Sequence, residues 1–298
     1  MWFYFTFVPD YSLSHNFLFY KSRYIYCTQR AMTSNTKEFK NEIDWEAKAK
    51  QNPLYAIMSD EVFVENAPDV ISADDLLLFF EKGQRLWNLH LQPVYSQFAQ
   101  NQQVKVLEWG CGMGRLLAQP ARQGAYCVGV DISHTQLGLL KKHFQTPNNL
   151  HTALLNGKQQ IDVGDQSIDF VYSFAVLQHV KNTSDFYFVL SEMTRVLKKG
   201  GTLKIQFRFP NQYGAKFKNT AHTAINFEES SLLFYWKKIF GWLYAPIVRH
   251  VKHTHWGGAG CYVPLRSVAK FLEANGLNIV SVNFETQAQQ LVWITAQK

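Results

Sequence analysis

Residues 104–115 read VKVLEWGCGMGR, and this stretch decides the fold of the chain. Its first half is mainly apolar and predicts a short strand over 104–109, after which glycines stand at positions 110, 112 and 114. Because glycine has no Cβ, the backbone after the strand can turn tightly and lie directly against a ligand. A nucleotide-like molecule above the carboxyl end of a parallel strand needs such a turn.

The sequence around this strand alternates between strand-like and helix-like patterns, which predicts a doubly wound α/β fold. We expect seven strands at 104–109, 126–131, 150–155, 168–174, 201–207, 277–284 and 290–297, of which the last two form an antiparallel pair. Helices are predicted near 114–122, 134–144, 183–197 and 264–275, with a helix stop and turn at Lys199–Gly201.

Polar residues follow the next strands at positions suited to a nucleoside. Asp131 ends the second strand, 21 residues after Gly110, where a carboxylate can accept hydrogen bonds from both ribose hydroxyls. The alternative is that Asp131 caps the helix that begins near Ser133. Asn156-Gly157 ends the third strand, either as a contact to an adenine amino group or as an ordinary turn.

These features together resemble the class I S-adenosylmethionine-dependent methyltransferases, of the small-molecule type that includes methyltransferase domains 11 and 25. The glycines at 110, 112 and 114 match that family's motif I. They differ from the NAD fingerprint GxGxxG, whose third glycine would stand at position 115, where this chain has an arginine. The stretch SIDFVYSFAVLQHV at 167–180 resembles motif IV. The resemblance covers residues 104–207 and implies a Rossmann-like, mostly parallel seven-stranded sheet with helices on both faces.

The resemblance implies S-adenosylmethionine as the cofactor and carries its contacts onto this sequence. Glu108 is expected to face the cofactor's amino-acid end or to organise the amides of the glycine loop. The backbone of Phe174 and Ala175 is expected to flank the methionine part. The full set of expected contacts is Glu108, Gly110, Cys111, Gly112, Gly114, Asp131, Ile132, Asn156, Gly157, Phe174 and Ala175.

His179 is the candidate catalytic residue, because it follows the fourth strand next to the expected site mouth. It either positions the acceptor and accepts its proton, or holds the loop through hydrogen bonds to the backbone. His253, His255 and Tyr213 are further candidate bases, and Tyr213, Trp236 and His255 are candidate substrate contacts. We expect no metal site, since His253 and His255 have no nearby acid or cysteine.

The segment 208–260 is predicted to be an inserted lid that selects the acceptor. Between residues 208 and 258 it carries seven basic and two acidic residues, which is most of the net charge of +7. That excess indicates either a solvated surface or an anionic partner. Its stretch 230–250 is rich in aromatic residues. We expect this stretch to be buried in the fold, to cover an apolar acceptor or to contact a membrane surface. Gly257-Gly258-Ala259-Gly260 is a candidate hinge.

The sequence divides into an extension at 1–31, a helical segment at 32–103 and the methyltransferase domain at 104–298. The aromatic-rich 1–31 is expected to be disordered or non-native, with Met32 as the natural start, or else a membrane-surface anchor. Helices predicted at 38–50 and 72–99 either pack on the sheet edge or roof the cofactor cleft.

The leading functional hypothesis is methyl transfer to an O, N or C atom of a small, apolar or anionic molecule. An RNA methyltransferase is the first alternative, disfavoured because Ser173-Phe-Ala-Val stands where amino-methylating enzymes carry Asn/Asp-Pro-Pro-Tyr/Phe. A non-catalytic cofactor-binding sensor or partner subunit is the second. Four scattered cysteines and the lack of a long apolar run predict a cytoplasmic protein without a transmembrane helix. The sequence does not indicate an oligomeric state.

Overall fold

A single mixed β-sheet organises the chain. The computed structural model describes residues 42–58, 60, 63, 69–98, 103–143, 149–209, 220–221, 260–285 and 291–298. The strands are β1 Lys105–Trp109, β2 Tyr126–Asp131, β3 Leu150–Leu154, β4 Ile168–Ser173, β5 Leu197–Arg208, β6 Thr220–Ala221, β7 Asn278–Phe284 and β8 Leu291–Gln297.

The strand order is β3-β2-β1-β4-β5-β8-β7-β6. Strands β1 to β5 pair in parallel, and β8 runs antiparallel to both β5 and β7. The predicted seven-stranded, mostly parallel sheet is therefore confirmed, and the two-residue β6 extends it beside β7. The order of the strands reverses at β1, because β2 and β3 lie on one side of it and β4 and β5 on the other. A crevice opens at such a point, at the carboxyl ends of the strands.

Helices cover both faces of the sheet. They are α1 Glu42–Gln51, α2 Pro53–Met58, α3 Ala73–Leu86, α4 Gln92–Tyr95, α5 Ala118–Arg122, α6 His134–His143, α7 Thr183–Val196 and α8 Leu265–Ala274. A π-helical turn spans Trp87–Leu91, and 3₁₀ turns span Ser96–Phe98 and Leu177–His179.

Alternation along the strands divides the core into two layers. Phe170 and Tyr172 of β4 lie in one buried cluster with Trp87, while Val171 lies in the other with Leu190 of α7. Buried apolar side chains on both faces explain why these strands read as nearly continuous apolar runs. Each of these buried apolar side chains stabilises the fold by about 1.5–3 kcal/mol relative to an exposed position.

Two predicted helices differ from the structure. The helix expected at 114–122 begins only at Ala118, because Gly114 has φ of +76° and cannot belong to a right-handed helix. The helix expected at 72–99 is divided by the π-helical turn, where the Gln92 N–H bonds the Trp87 carbonyl. Pro93 follows directly and has no N–H to continue the α-helical ladder.

The turn expected at Lys199–Gly201 is an irregularity inside β5. Helix α7 ends at Val196 and the strand begins at the next residue. Gly200 has φ of +77°, and pairing with β4 jumps from Leu197 to Thr202. The glycine therefore produces a bulge rather than a separating turn, because the chain continues to pair with its neighbours.

Candidate functional site

The glycine loop lies at the crevice beside β1. The N–H groups of Gly110 and Cys111 both donate to the Val130 carbonyl, at 2.7 and 3.0 Å. Gly110 and Gly112 have φ of +76° and +52°, a region that side chains with a Cβ rarely adopt. The loop is thus tied to the end of β2 and folded back over it.

Each of the three predicted glycines is required by its neighbours. A Cβ on Gly110 would lie 2.3 Å from Val176 Cγ2, and one on Gly112 would lie 2.7 Å from Ile57 Cδ1. A Cβ on Gly114 would lie 2.4 Å from Leu140 Cδ1. The loop therefore packs tightly against three other elements, including the N-terminal helix α2.

Asp131 connects the glycine loop to α6. Its Oδ2 accepts the Gly112 N–H at 2.8 Å and its Oδ1 accepts the Ser133 N–H at 2.9 Å. Burial raises the pKa of Asp131 and these N–H donors oppose the rise. Each oxygen retains a lone pair, so the carboxylate that caps the helix start can also accept a hydroxyl from a ligand.

Glu108 lies buried beneath the loop. It accepts the Tyr172 hydroxyl at 3.1 Å. Burial raises its pKa to about 8, although the bonds from Tyr172 and the Leu117 N–H and the charge of Arg115 oppose the rise. Because it binds Leu117 in the turn that follows the glycines, Glu108 holds this turn in place.

A buried acceptor without a donor lies next to the loop. Gln136 of α6 is 4% exposed, and its Nε2 donates to the Pro53 carbonyl at 3.0 Å. Its Oε1 is buried and has no hydrogen-bond partner among the described residues, and it lies 4.0 Å from where a Cβ on Gly112 would stand. An unsatisfied buried oxygen is costly, so the site fits a ligand that brings N–H or O–H donors to the glycine loop.

The loop after β4 forms the opposite side of the crevice. Ala175 has φ of +58°, and its N–H donates to Gln206 Oε1 at 3.0 Å. Gln206 in turn donates to Glu285 at 2.6 Å, and Trp293 Nε1 donates to the same carboxylate oxygen at 2.9 Å. A chain of buried polar groups thus holds the strained backbone of Ala175.

The Phe174 side chain turns away from the crevice into an aromatic stack. Its ring lies nearly parallel to that of Trp293, with centroids 5.4 Å apart, and His90 stacks on both. The Arg115 guanidinium lies 5.6 Å from the Phe174 centroid. The backbone of Phe174 is consequently fixed beside Ala175.

The first helix closes over the carboxyl edge of the sheet. Glu46 of α1 accepts the Ser133 and Thr135 hydroxyls, both at 2.7 Å, and the Thr135 N–H at 3.2 Å. The helices of the 72–99 segment instead pack on the sheet face, where the Trp87 ring contacts that of Tyr172. The 72–99 segment thus packs on the face of the central strand β4 and not on the sheet edge, and a cofactor roof formed by the 38–50 segment stays a prediction.

Replacing Glu46 with glutamine is expected to lower the free energy of unfolding by about 1 kcal/mol near pH 7, since a charged cap of α6 is lost. Burial alone raises the pKa of Glu46, but the bonds from Ser133 and Thr135 outweigh it and lower the pKa from 4.5 to about 2. Stability from this group is therefore present above pH 4.5 and is lost as the pH falls toward 2.

Urea unfolding of the unchanged protein and of the Glu46→Gln variant across the acid range checks this prediction. Glu81→Gln, which changes an exposed residue of α3, is the control. The two proteins should converge at low pH. A difference that stays constant down to pH 2 would contradict the role given to Glu46.

His179 ends the 3₁₀ turn and faces the N-terminal helix. Its ring meets that of Trp45 edge-on, with centroids 5.2 Å apart. Burial, the charge of Arg208 and the charge of Lys48 lower its pKa from 6.5 to about 4. The imidazole is therefore neutral at physiological pH.

The remaining predicted cofactor contacts are less closely grouped than those of the glycine loop. Ile132 follows Asp131 directly, Asn156 is exposed, and Gly157 has φ of +60°. A groove of about 690 Å³ runs along β2, β3 and the 155–167 connection, and of the predicted contacts only Asn156 lines it. Tyr213, Trp236, His253, His255, the stretch 230–250 and the extension 1–31 lie outside the described residues.

Sequence reasoning missed the side chains that tertiary packing brings to the site. Glu46, Lys48 and Gln136 belong to helices whose patterns carry no sign of a binding role. Gln206 gave one usable signal, because a polar residue in the apolar strand IQF requires a buried partner.

Residues 107–205 match the family model described as "Methyltransferase domain". The demethylmenaquinone methyltransferase of Tropheryma whipplei is 32% identical over 114 residues, which are 38% of this chain and 46% of that protein. The ubiquinone biosynthesis O-methyltransferase of Rhizobium rhizogenes is 28% identical over 34% of this chain and 40% of its own length. The chain thus spans less than half the length of these curated relatives.

Among solved structures, the magnesium protoporphyrin IX methyltransferase of Synechocystis PCC 6803 with bound S-adenosylmethionine superposes with a TM-score of 0.52. It is 14% identical and covers 89% of this chain and 100% of its own. This likeness confirms the fold. Among the helices that the structure describes, none is long and apolar enough to cross a bilayer.

Proposed function

We propose, from the premise that residues 107–205 form a class I S-adenosylmethionine-dependent methyltransferase domain, that the protein transfers a methyl group from S-adenosylmethionine to a small molecule. The observation that supports the proposal is Asp131, whose carboxylate accepts the Gly112 N–H at the end of β2, where it would bind a ribose. The glycine loop and the strained Ala175 lie on the two sides of the same crevice.

Different residues of the chain would contact different parts of the cofactor. Asp131 would accept the ribose hydroxyls, Ile132, Asn156 and Gly157 would lie near the adenine, and the Gly110–Gly114 loop would contact the methionine part. Gln136 Oε1 supplies a free acceptor at that loop. Glu108 acts from beneath, by holding the turn through Leu117.

The bound cofactor would supply a methyl group already activated by its positive sulfur. The protein then has to hold the acceptor in line with that methyl group and exclude water. Helix α1 lies over this edge of the sheet, and neutral His179 can take the proton of an acceptor hydroxyl or amine. Gln206 and Glu285 keep Ala175 in place.

We expect His179 to titrate with a midpoint near pH 4 in the folded protein, because burial and two nearby cations disfavour its charged form. Methyl transfer that depends on His179 as the base should hold steady on the acid side and decline only as the pH falls through about 4. Nitrogen-detected NMR of the imidazole, assigned with a His179→Gln variant, measures the midpoint. A midpoint near 6.5 would contradict the buried, cation-flanked position of this ring.

The function is tested by transfer of a labelled methyl group from S-adenosylmethionine to extracts of small molecules, quinone precursors and RNA. Product in a small-molecule fraction supports the proposal, and quinone precursors are included because of the relatives' names. Tight cofactor binding without transfer to any fraction would favour a non-catalytic binding protein, and product only in RNA would favour the RNA alternative.

The finer parts of the proposal concern the segments around this core. Residues 208–260 would act as the lid that contacts the acceptor through Tyr213, Trp236 and His255, and 32–103 would act as the helical roof. We place the protein in the cytoplasm, where the free thiols of Cys111, Cys127 and Cys261 stay reduced.

A further inference from the structure

We propose that Lys48 and Arg208 bind an anionic group of the methyl acceptor, a carboxylate or a phosphate, beside His179. This inference rests on the proposed methyltransferase function and names the substrate class of the same site.

The first cation belongs to the helix that closes over the site. Trp45 and Lys48 are three residues apart on α1, so they share one face of the helix. The Lys48 Nζ lies 4.7 Å from the Trp45 centroid, and the Trp45 ring contacts that of His179. Helix α1 therefore presents an aromatic ring and a cation together at the histidine.

The second cation arrives from the sheet. Arg208 is the last residue of β5, and its guanidinium lies 5.4 Å from the Tyr262 centroid. The neighbouring Cys261 N–H donates to the Val180 carbonyl at 2.7 Å, which ties this segment to the residue after His179. Arg208 and Lys48 thus belong to two different elements, and the charge of each lowers the pKa of His179.

Among the residues that the structure describes, no carboxylate neutralises either cation. Lys48 and Arg208 are half-buried, and within the described ranges neither forms an ion pair with a carboxylate. Glu46 of α1 is occupied by Ser133 and Thr135.

Two of the other partly buried lysines of this chain have carboxylate partners, whereas the buried Lys204 donates to the His90 carbonyl. Lys158 pairs with Asp185 at 2.7 Å, and Lys198 pairs with Asp169 at 2.7 Å. Partly desolvated cations without a counter-charge are unfavourable, and an anionic ligand would offset that cost.

The position of the two cations indicates that their anionic ligand is the methyl acceptor. Their charges act on His179, which ends the 3₁₀ turn in the loop that continues from Ala175. An acceptor anchored there by its anionic group would place a neighbouring hydroxyl or amine next to His179. Charge-assisted bonds to both cations fix orientation as well as affinity.

Calorimetry on the full chain with saturating S-adenosylhomocysteine tests the proposal with two matched probe pairs. These are 3,4-dihydroxybenzoate against catechol and phenyl phosphate against phenol. The anionic member of at least one pair should bind about tenfold more tightly or better, and the pair that discriminates identifies the carboxylate or the phosphate as the preferred group. Equal affinity within both pairs would overturn the proposal.

Lys48→Met and Arg208→Met should each weaken the preferred anion about tenfold and leave its neutral partner unchanged. Both variants should also raise the pKa of His179 in the NMR titration, because each removes a positive charge that disfavours the imidazolium. Lys270→Met and Arg266→Met, which remove exposed cations of α8, are the controls. If the controls lose as much affinity as the test variants, the effect is long-range and the assigned site is wrong.

The cofactor site and the anion site are refuted by different results. If S-adenosylhomocysteine does not bind, the proposed function fails. If it binds normally but Lys48→Met and Arg208→Met leave anion affinity unchanged, only the anion site is refuted.

Discussion

Replacing Asp131 with asparagine is expected to weaken the binding of S-adenosylhomocysteine by about 100-fold or more. Asp131 now accepts one N–H on each oxygen, from Gly112 and from Ser133. Asparagine would direct an NH₂ group toward one of these donors, so one bond is lost and two buried donors face each other. The negative charge that would receive the ribose hydroxyls is lost as well.

Isothermal calorimetry measures this affinity, and urea unfolding at the same pH shows how much of the protein is folded. Asp162→Asn, an exposed aspartate in the connection after β3, is the matched control and should bind the cofactor product normally. A folded Asp131→Asn protein with unchanged affinity would show that the cofactor site has been assigned to the wrong residues.

Replacing Gly110 with alanine should lower the free energy of unfolding by about 2–5 kcal/mol. Two costs add up at this position. The backbone has φ of +76°, which alanine tolerates poorly, and the new Cβ would lie 2.3 Å from Val176 Cγ2. Because the loop must shift to relieve the contact, affinity for S-adenosylhomocysteine should fall as well.

Gly124→Ala is the matched control, since Gly124 has φ of +89° but a Cβ there would meet nothing within 4 Å. It should show only the backbone cost, about 1–2 kcal/mol. Adding Val176→Ala to Gly110→Ala removes the two closest atoms and should restore part of the lost stability. Equal losses for Gly110→Ala and Gly124→Ala would contradict the packing described for the loop.

The positions of the strands could be predicted because apolar runs bounded by glycine and polar residues depend on local sequence. The predicted edges of β1, β2 and β4 agree with the structure to within a residue. Helix limits were less predictable where a neighbour decided them. The helix expected from residue 114 begins at Ala118 because the preceding loop is bound to Val130 and Asp131.

The role of the N-terminal helices could not be predicted from their patterns. Amphipathic spacing shows that a helix has an apolar face, but it does not say which surface that face meets. The structure places Glu46 on the start of α6 and Trp45 on His179. Both contacts join residues more than eighty positions apart, a distance over which no local pattern carries information.

The sequence by itself determined the position of the glycine loop and of its carboxylate partner, because glycines at 110, 112 and 114 and the acid at 131 follow the ends of neighbouring strands in a fold that brings those ends together. Only the tertiary structure decided the surroundings of His179. Its pKa is set by burial and by the charges of Arg208 and Lys48, which come from distant parts of the chain. Electrostatic interactions depend on distance and burial in space, and neither quantity is written in the spacing of residues along the sequence.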